Sequence, residues 1–425
     1  MSLSRIATLA ADRRIHRAFH WLHLHELQLR QWQLQMIAIP APSFAESTRA
    51  AWFLDRFQQL GLTNIHIDDA GSALAELSPE TSLPNTPCIL LSAHLDTVFP
   101  AGTSIEPIEE KDSARIHAPG ICDNAAGLTG LLAIAAAMRY ANITPPIPIL
   151  FAANVGEEGE GDLRGMRHLF ERGPYRTRIA AAIALEGSGS SAVVTRALGS
   201  LRFRVTISGP GGHSWTDAGT PNPILLLSEA LTQIAAIKLP PEPLTTINVG
   251  LISGGTSVNS IPESATALLD IRSTDPTQLI ATATTVHQIF DDVTTPSTRK
   301  KTTHAPPKLH IETIGNRPAA ALADDSPILH TLRAVDRHLS LRTELRLGST
   351  DANIPLSRSI PAIAIGAGGL GGGIHTLQEW YDPPGRETAL RRILLTLLDT
   401  TQTTADAHPA ITPPTITHPP TTLSS

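Results

Sequence analysis

Four short runs of consecutive apolar residues, each about as long as a β-strand, mark the sequence. They cover Cys88–Asp96, Ile147–Val155, Ala181–Gly187 and Ile360–Gly368, and a segment with helical spacing of apolar positions, 124–140, lies between the first two. Strands that are apolar on both faces and separated by helices are typical of a sheet covered by helices on both sides. The pattern therefore predicts an α/β fold with a mixed, largely parallel sheet.

Helical spacing also predicts helices outside this central region. Apolar positions recur at helical intervals through roughly the first thirty residues and stop at Pro40 and Pro42. Further helices are predicted at 46–60, 326–340 and 387–400. We expect these helices to cover the predicted sheet.

A different order of elements interrupts the α/β pattern from about Leu198 to Gly315. The segment has the order strand, helix, strand, strand, helix, strand, which is the ferredoxin-like order. We therefore predict a catalytic domain formed by residues 1–197 and 316–400, with an inserted α+β domain at 198–315. Residues 401–425 are rich in Thr and Pro without periodicity, which predicts a disordered tail.

Composition narrows the functional classes. The chain has 425 residues, 41% of them hydrophobic, and a formal net charge of −6 without any block of five like charges. Neither the net charge nor its distribution suggests a nucleic-acid or anionic-membrane partner. The N-terminus has charges where a signal peptide would be apolar, the longest apolar stretch is too short for a bilayer, and only two cysteines are present. We expect a cytoplasmic protein.

Each of the four apolar runs has a potential metal ligand at, or just beyond, its carboxyl end. Since ligands bind at the carboxyl ends of strands in open α/β sheets, side chains at these positions are expected to converge. Histidine and carboxylate together suit zinc, cobalt or manganese. Each of these residues alone is more simply a cap or a surface residue, but their coincidence predicts a metal site comprising His94, Asp123, Glu157 or Glu158, Glu186 and His375.

Two neighbouring pairs add detail to this site. Asp96 lies two residues after His94, so on a continuous strand it would share a face with His94 and could hold its second ring nitrogen. Glu157 and Glu158 are adjacent, so one carboxylate could bind metal while the other acts as a general base.

Seven segments, in order, resemble peptidase family M20, a family of co-catalytic zinc hydrolases. The resemblance covers roughly residues 30–400, and the segments are HLDTVFP, GICDNAAG, NVGEEGEGDLRG, ALEG, GPGGHS, GGTSVNSIP and GGGIHTLQEW. It implies two divalent metal ions, most simply Zn²⁺, with Co²⁺ or Mn²⁺ as alternatives. In that arrangement Asp123 bridges both ions, His94 and Glu186 bind one, and Glu158 and His375 bind the other.

The resemblance also implies roles for residues that do not bind metal. Glu157 becomes the general base and Asp96 the clamp behind His94. The insert becomes a lid and dimerisation domain, in which His213 reaches the active site of a neighbouring subunit and stabilises the oxyanion. Asn259 and Arg272 become substrate-binding residues.

The function implied is hydrolysis of an amide bond in di- or tripeptides with a free carboxylate, by a homodimeric cytoplasmic enzyme. In the family, Glu at the position of Glu186 accompanies carboxypeptidase-like and deacylase-like members, whereas the other segments resemble peptidase T-like sequences. An N-acyl amino acid deacylase of the acetylornithine or succinyl-diaminopimelate type therefore stays open. A non-catalytic metal-holding interaction protein is a lower-ranked alternative.

Overall fold

The computed structural model describes residues 2–111, 113–295 and 305–408. Short 3₁₀ or π turns lie between Gly159 and Thr177. The α-helices of the described residues are α1 (Ser2–Ala10), α2 (Arg13–Leu24), α3 (Glu26–Ile37), α4 (Ser47–Gln59), α5 (Ala125–Ala141), α6 (Arg164–Arg167), α7 (Pro223–Ala235), α8 (Pro276–Thr294), α9 (Pro327–His338), α10 (Asn353–Ser357) and α11 (Arg386–Ala407).

The strands form one large sheet and three smaller ones. They are β1 (Thr63–Ile67), β2 (Ala73–Leu77), β3 (Cys88–His94), β4 (Ile108–Glu109), β5 (Ile116–His117), β6 (Ile149–Asn154), β7 (Ile179–Leu185), β8 (Ala192–Ala197), β9 (Gly199–Ser208), β10 (Gly212–His213), β11 (Thr245–Gly254), β12 (Ser260–Ile261), β13 (Ser264–Ser273), β14 (Lys308–Arg317), β15 (Ala320–Ala321), β16 (Glu344–Gly348), β17 (Ala362–Ile365), β18 (Leu370–Gly372) and β19 (Trp380–Asp382).

The large sheet has the order β1-β2-β6-β3-β7-β17-β8-β15, with β16 beside β8. Strand β3 is parallel to β6 and β7, and β17 is parallel to β7. These four strands are the predicted apolar runs, so the prediction of a mixed, largely parallel α/β sheet is confirmed. Outside them, β2 and β8 pair antiparallel with β6 and β17.

Helix α5 lies in the main hydrophobic core on one face of the large sheet. All of its residues except Arg139 and Tyr140 are buried, as expected for a helix that is apolar all round. It begins after Asn124, whose side chain accepts a hydrogen bond from the Gly127 N–H. This places Asp123 at the start of a rigid, buried helix. In the described part of the chain, no helix combines the length and apolarity needed to cross a membrane.

A second sheet, with the order β11-β13-β9-β14, has helices α7 and α8 packed on it. This is the ferredoxin-like arrangement, with its own hydrophobic cluster that includes Val205, Leu269 and Phe290. Strand β14 continues two residues beyond the predicted limit at Gly315, because Asn316 and Arg317 still pair with β9. That extension carries Arg317 toward the first domain.

The C-terminal prediction was wrong for residues 401–407. Helix α11 continues to Ala407, and Thr401 and Ala405 are buried against the core. The Thr401 hydroxyl donates to the Leu398 carbonyl at 2.7 Å, so threonines satisfy their polar groups within the helix. The remaining part of the predicted tail, from residue 409 onward, lies outside the described residues.

A small sheet in the order β18-β19-β5-β4 was not predicted from the sequence. Its strands are two or three residues long, which is too short for a recognisable period. Strands β18 and β19 form an antiparallel pair, and the loop between them contains His375 and Glu379. The small sheet therefore positions a predicted metal ligand that no long element holds.

Candidate metal centre

His94 is the last residue of β3 and is completely buried. Its Nδ1 lies 3.0 Å from the main-chain oxygen of Asp96, so Nδ1 carries the proton of the neutral ring. Its Nε2 then presents a lone pair at 3.2 Å from Asp123 Oδ1 and 3.4 Å from Glu186 Oε1. A lone pair that faces two carboxylate oxygens requires a proton or a cation between them.

His375 faces the other side of Asp123. Its Nε2 is 3.1 Å from Asp123 Oδ2 and 3.0 Å from Glu158 Oε1. Half of the His375 side chain is exposed, and its backbone has a φ of 65°. The two oxygens of Asp123 therefore point at one histidine each, which is the arrangement expected of a carboxylate shared by two metal ions.

The donor set fits divalent metal ions. Neutral imidazole and carboxylate are the ligands that zinc, cobalt and manganese accept, and neither cysteine is among them. Three groups of potential ligand atoms lie within 4.8 Å of one another: His94, Asp123 and Glu186; Asp123, Glu158 and His375; His94, Glu157 and Glu158. The structure thus brings all five predicted ligands together, with Glu157 beside them.

Burial makes the charged carboxylates of this cluster unfavourable without a cation. It raises the pKa of Glu157 well above the usual range and raises the pKa values of Glu158 and Glu186. Burial also opposes ionisation of Asp123, but the neighbouring His375 and His94 lower its pKa. A divalent cation bound between these residues would stabilise the charged form of the buried carboxyl groups.

Asp96 makes hydrogen bonds in addition to its predicted approach to His94. Its carboxylate accepts hydrogen bonds from the Glu157 N–H and the Glu158 N–H, both at 2.9 Å, and from Ser43 Oγ at 2.7 Å. Its Oδ1 also lies 3.5 Å from His94 Nδ1, which is the predicted contact, while the shorter contact of Nδ1 is with the Asp96 main-chain oxygen at 3.0 Å. Strand β3 ends at His94, so strand alternation does not extend to Asp96. The Asp96 side chain mainly fixes the loop that carries the two glutamates.

Arg317 holds Glu157 from the second sheet and was missed in the sequence. Its Nη1 is 3.0 Å from Glu157 Oε1, its Nη2 donates to the Glu157 main-chain oxygen, and both side chains are 7% exposed. The positive charge opposes the effect of burial on the Glu157 pKa. No motif marks Arg317, because only the pairing of β14 brings it here.

Glu379 holds the loop that precedes α5. Its carboxylate accepts hydrogen bonds from the main-chain N–H groups of Gly120 at 2.9 Å, Cys122 at 2.8 Å and Asp123 at 2.7 Å. The side chain is buried, which raises its pKa to about 7. Glu379 lies in the same loop as His375, so one carboxylate ties together the backbones of two predicted ligands.

A buried pair lies next to His94. Asn154, which pairs with His94 across β3 and β6, donates from Nδ2 to Asp351 Oδ2 at 2.8 Å. Burial raises the pKa of Asp351 to about 7. Both residues are enclosed by protein, and neither was recognised in the sequence. They complete a layer of polar groups that lies behind the predicted ligands.

Phe44 has an unusual backbone at the edge of this centre. Its φ is 73°, and its side chain is 65% exposed. A left-handed conformation costs an ordinary residue about 1–2 kcal/mol. The ring contacts the Arg164 guanidinium, with 5.1 Å between the guanidinium carbon and the ring centroid. An exposed contact of this kind contributes about 0.5–1 kcal/mol, so it does not offset the backbone strain.

The three predicted residues of the second domain make contacts within that domain. His213 and Asn259 are neighbours, since β10 pairs with β12 and the Ser214 N–H donates to the Asn259 carbonyl at 3.0 Å. Arg272 lies on β13 with its Nε 2.7 Å from Asp270 Oδ2. Within the described residues, His213 belongs to none of the groups of potential metal ligands.

Relatives and solved structures agree with this architecture. A probable carboxypeptidase of Aspergillus clavatus is 26% identical over 262 residues, which cover 57% of this chain and 57% of that protein. A probable carboxypeptidase of Aspergillus flavus is matched over 47% of its length. The chain thus spans about half the length of these two curated relatives.

Two crystal structures have the same fold. A tripeptidase of Staphylococcus aureus superposes with a TM-score of 0.71 and 22% identity, covering 89% of this chain and 99% of that one. The YxeP protein of Bacillus subtilis, described as a dinuclear metal binding peptidase, superposes with a TM-score of 0.62 and 15% identity. This match covers 89% of this chain and 98% of that one. The sequence profile of peptidase family M20/M25/M40 matches residues 90–400, most of the chain. The chain therefore belongs to peptidase family M20/M25/M40.

Proposed function

We propose that the protein is a di-metal exopeptidase that hydrolyses the amide bond of di- or tripeptides with a free carboxylate. The observation that carries this proposal is the position of Asp123, whose two carboxylate oxygens lie 3.2 Å and 3.1 Å from the Nε2 atoms of His94 and His375. Two metal ions between these atoms would share one carboxylate.

The ligands divide into two sets around Asp123. We assign His94 and Glu186 to one ion and Glu158 and His375 to the other, most simply Zn²⁺. When bound, such ions supply Lewis acidity that polarises a carbonyl group and activates water.

Glu157 is assigned the role of general base. Arg317 and Asp96 fix its position, because Arg317 binds Oε1 and the main-chain oxygen while Asp96 accepts the Glu157 N–H. With Oε1 engaged, Oε2 would take the proton from the attacking water and deliver it to the leaving nitrogen.

Residues 198–315 are proposed to act as a lid and dimerisation domain. Strand β11 is an edge strand that exposes Val249, Leu251 and Ile252, and an exposed apolar edge suits pairing with a second copy of the chain. His213 Nδ1 accepts from the Trp215 N–H at 3.1 Å, which leaves the Nε2 proton of the neutral ring for a substrate oxyanion. We propose that His213 donates this bond in the partner's active site.

Asn259 and Arg272 are proposed to bind substrate. Asn259 lies beside His213, so both would approach the substrate together. Arg272 is 40% exposed, and its planar guanidinium can bind a carboxylate through two parallel hydrogen bonds. Its ion pair with Asp270 would hold the guanidinium in place.

Metal analysis followed by a substrate screen tests this proposal. The purified protein should contain two divalent ions per chain and hydrolyse dipeptides or tripeptides, with activity lost to a chelator and restored by metal. An N-acyl amino acid deacylase would use the same centre, so N-acetyl and N-succinyl amino acids belong in the panel. Preference for these acyl substrates favours the deacylase, and absence of any amide hydrolysis by the two-metal form would refute both.

A further inference from the structure

We propose that the Phe44 ring forms one wall of a substrate subsite that selects peptides with a large apolar or aromatic side chain next to the cleaved bond. This inference rests on the proposed peptidase function and names the substrate class that the site prefers. Three features support it: the position of Phe44, its strained backbone and the exposed apolar side chains of Val98 and Ile374.

Phe44 directly follows a residue that contacts the proposed metal centre. The preceding residue, Ser43, donates its hydroxyl to Asp96 Oδ2 at 2.7 Å and to the Glu158 carbonyl at 3.1 Å. Pro42 forms a parallel bridge with Thr97, three residues after His94. The chain around Phe44 is therefore anchored on both the His94 segment and the glutamate loop.

Arg164 fixes the ring relative to Glu157. Its guanidinium carbon is 5.1 Å from the centroid of the Phe44 ring, and it donates to Glu46 and to the Ala70 carbonyl. The stem of Arg164 lies against Gly156, where an added Cβ would be only 2.6 Å from its Cγ. The Arg164 side chain thus lies against the Phe44 ring and also against the backbone at Gly156, which precedes Glu157.

Stability does not account for a phenylalanine at this position. The residue has a φ of 73°, which glycine adopts without strain, and 65% of its side chain is exposed. The contact with Arg164 is weaker than the backbone penalty. Strained residues persist where function requires them, and an exposed aromatic ring beside a reaction centre has the chemistry of a binding wall.

The neighbouring loops support an apolar rather than an acidic occupant. Val98 follows the bridge at Thr97 and is 39% exposed, and Ile374 precedes His375 and is 45% exposed. The Arg164 charge behind the ring is paired with both carboxylate oxygens of Glu46. Three segments that contain or adjoin residues of the proposed centre therefore expose apolar side chains, and the charge of Arg164 is already paired.

Substitution of Phe44 by glycine separates its role in binding from strain. Two dipeptide series, Xaa-Gly and Gly-Xaa with Xaa as Ala, Leu, Phe or Glu, are compared by kcat/KM. The unmodified enzyme should prefer Phe and Leu over Ala in one series. Phe44→Gly should lower kcat/KM for the Phe peptide about tenfold or more, while the Ala peptide changes less than about twofold.

Two control variants match the two changes made by Phe44→Gly. Ser340 has a φ of 57° on an exposed turn, so Ser340→Gly relieves comparable strain and should leave selectivity unchanged. Leu27 is 76% exposed on α3, so Leu27→Ala removes an exposed apolar side chain elsewhere. Retained preference for Phe over Ala in Phe44→Gly would overturn the proposal.

Binding without turnover distinguishes this inference from the peptidase assignment. Calorimetry on metal-loaded Glu157→Gln enzyme, with and without Phe44→Gly, measures the affinity ratio of the Phe and Ala peptides. A ratio that depends on Phe44 supports the subsite even if no peptide is hydrolysed, a result that would refute only the proposed reaction. A ratio that does not depend on Phe44 overturns the subsite, whatever the activity.

Discussion

The Arg317 guanidinium lies 3.0 Å from the Glu157 carboxylate, and the two residues belong to different sheets. Arg317 ends β14 of the ferredoxin-like sheet, whereas Glu157 follows β6 of the large sheet. Both side chains are buried, so the ion pair is shielded from solvent and from salt. The second sheet therefore contributes directly to the environment of the proposed general base.

Removal of the Arg317 charge should change the pH dependence of catalysis. Arg317 lowers the pKa of Glu157 against the effect of burial. In Arg317→Met the Glu157 pKa should rise, so the acidic limb of the kcat/KM profile should move to higher pH, by about 1–3 pH units. Arg317→Lys keeps the charge and should move the limb less. An unchanged limb in Arg317→Met would show that Arg317 does not tune the base.

Substitution of Glu379 should weaken metal binding without removing a metal ligand. Glu379 accepts hydrogen bonds from three main-chain N–H groups. Glutamine would replace one of its carboxylate oxygens with an amide NH2 group, which donates and cannot accept. We expect Glu379→Gln to lower metal affinity about 10- to 100-fold, the range found when groups that orient metal ligands are changed. Competition with a chelator measures the metal affinity. Glu387→Gln, the same substitution on α11, is the control. Equal affinities for the two variants would contradict the role.

Two inactive chains should complement each other if His213 acts in the partner's site. In a dimer of one His213→Ala chain and one Glu157→Gln chain, one of the two sites has both residues intact. An equal mixture with free subunit exchange should recover about one quarter of wild-type activity, as symmetric dimers require. Lack of recovery after confirmed exchange would place His213 in its own subunit or outside the reaction.

Arg272 should discriminate between free and blocked carboxylates. If its guanidinium binds the substrate carboxylate, Arg272→Ala should reduce kcat/KM for free-acid peptides far more than for their amides. Arg272→Lys should also be impaired, because lysine offers only a point charge. The ratio of the two substrate types cancels general damage to the fold. Equal losses for acids and amides would assign Arg272 a structural role through Asp270.

Local patterns predicted the convergence of the proposed ligands better than the contacts that hold these residues in place. His94 and Glu186 follow apolar runs, and the carboxyl ends of parallel strands meet at one edge, so their convergence could be predicted. The contacts of Arg317 with Glu157 and of Glu379 with Cys122 join residues 160 and 257 positions apart. No local pattern encodes such contacts.

The remaining differences have similar causes. The hydrogen bonds of Asp96 to the Glu157 and Glu158 N–H groups were not predicted, because they join loops that lie beyond the ends of β3 and β6. The threonine-rich end of α11 has no apolar period, yet hydroxyl groups that bond within the helix allow it to continue to Ala407. In both cases the tertiary contacts, rather than the composition, decide the local structure.

Glu157→Gln tests the central claim most directly, when turnover and metal content are measured on the same preparation. Glutamine keeps the shape of Glu157 and removes the base. We expect two metal ions per chain to remain, while kcat for dipeptide hydrolysis falls about 10²- to 10⁴-fold. Glu160→Gln, an exposed change in the same loop, should leave both unchanged. Near-normal turnover by a fully metal-loaded Glu157→Gln enzyme would contradict the account.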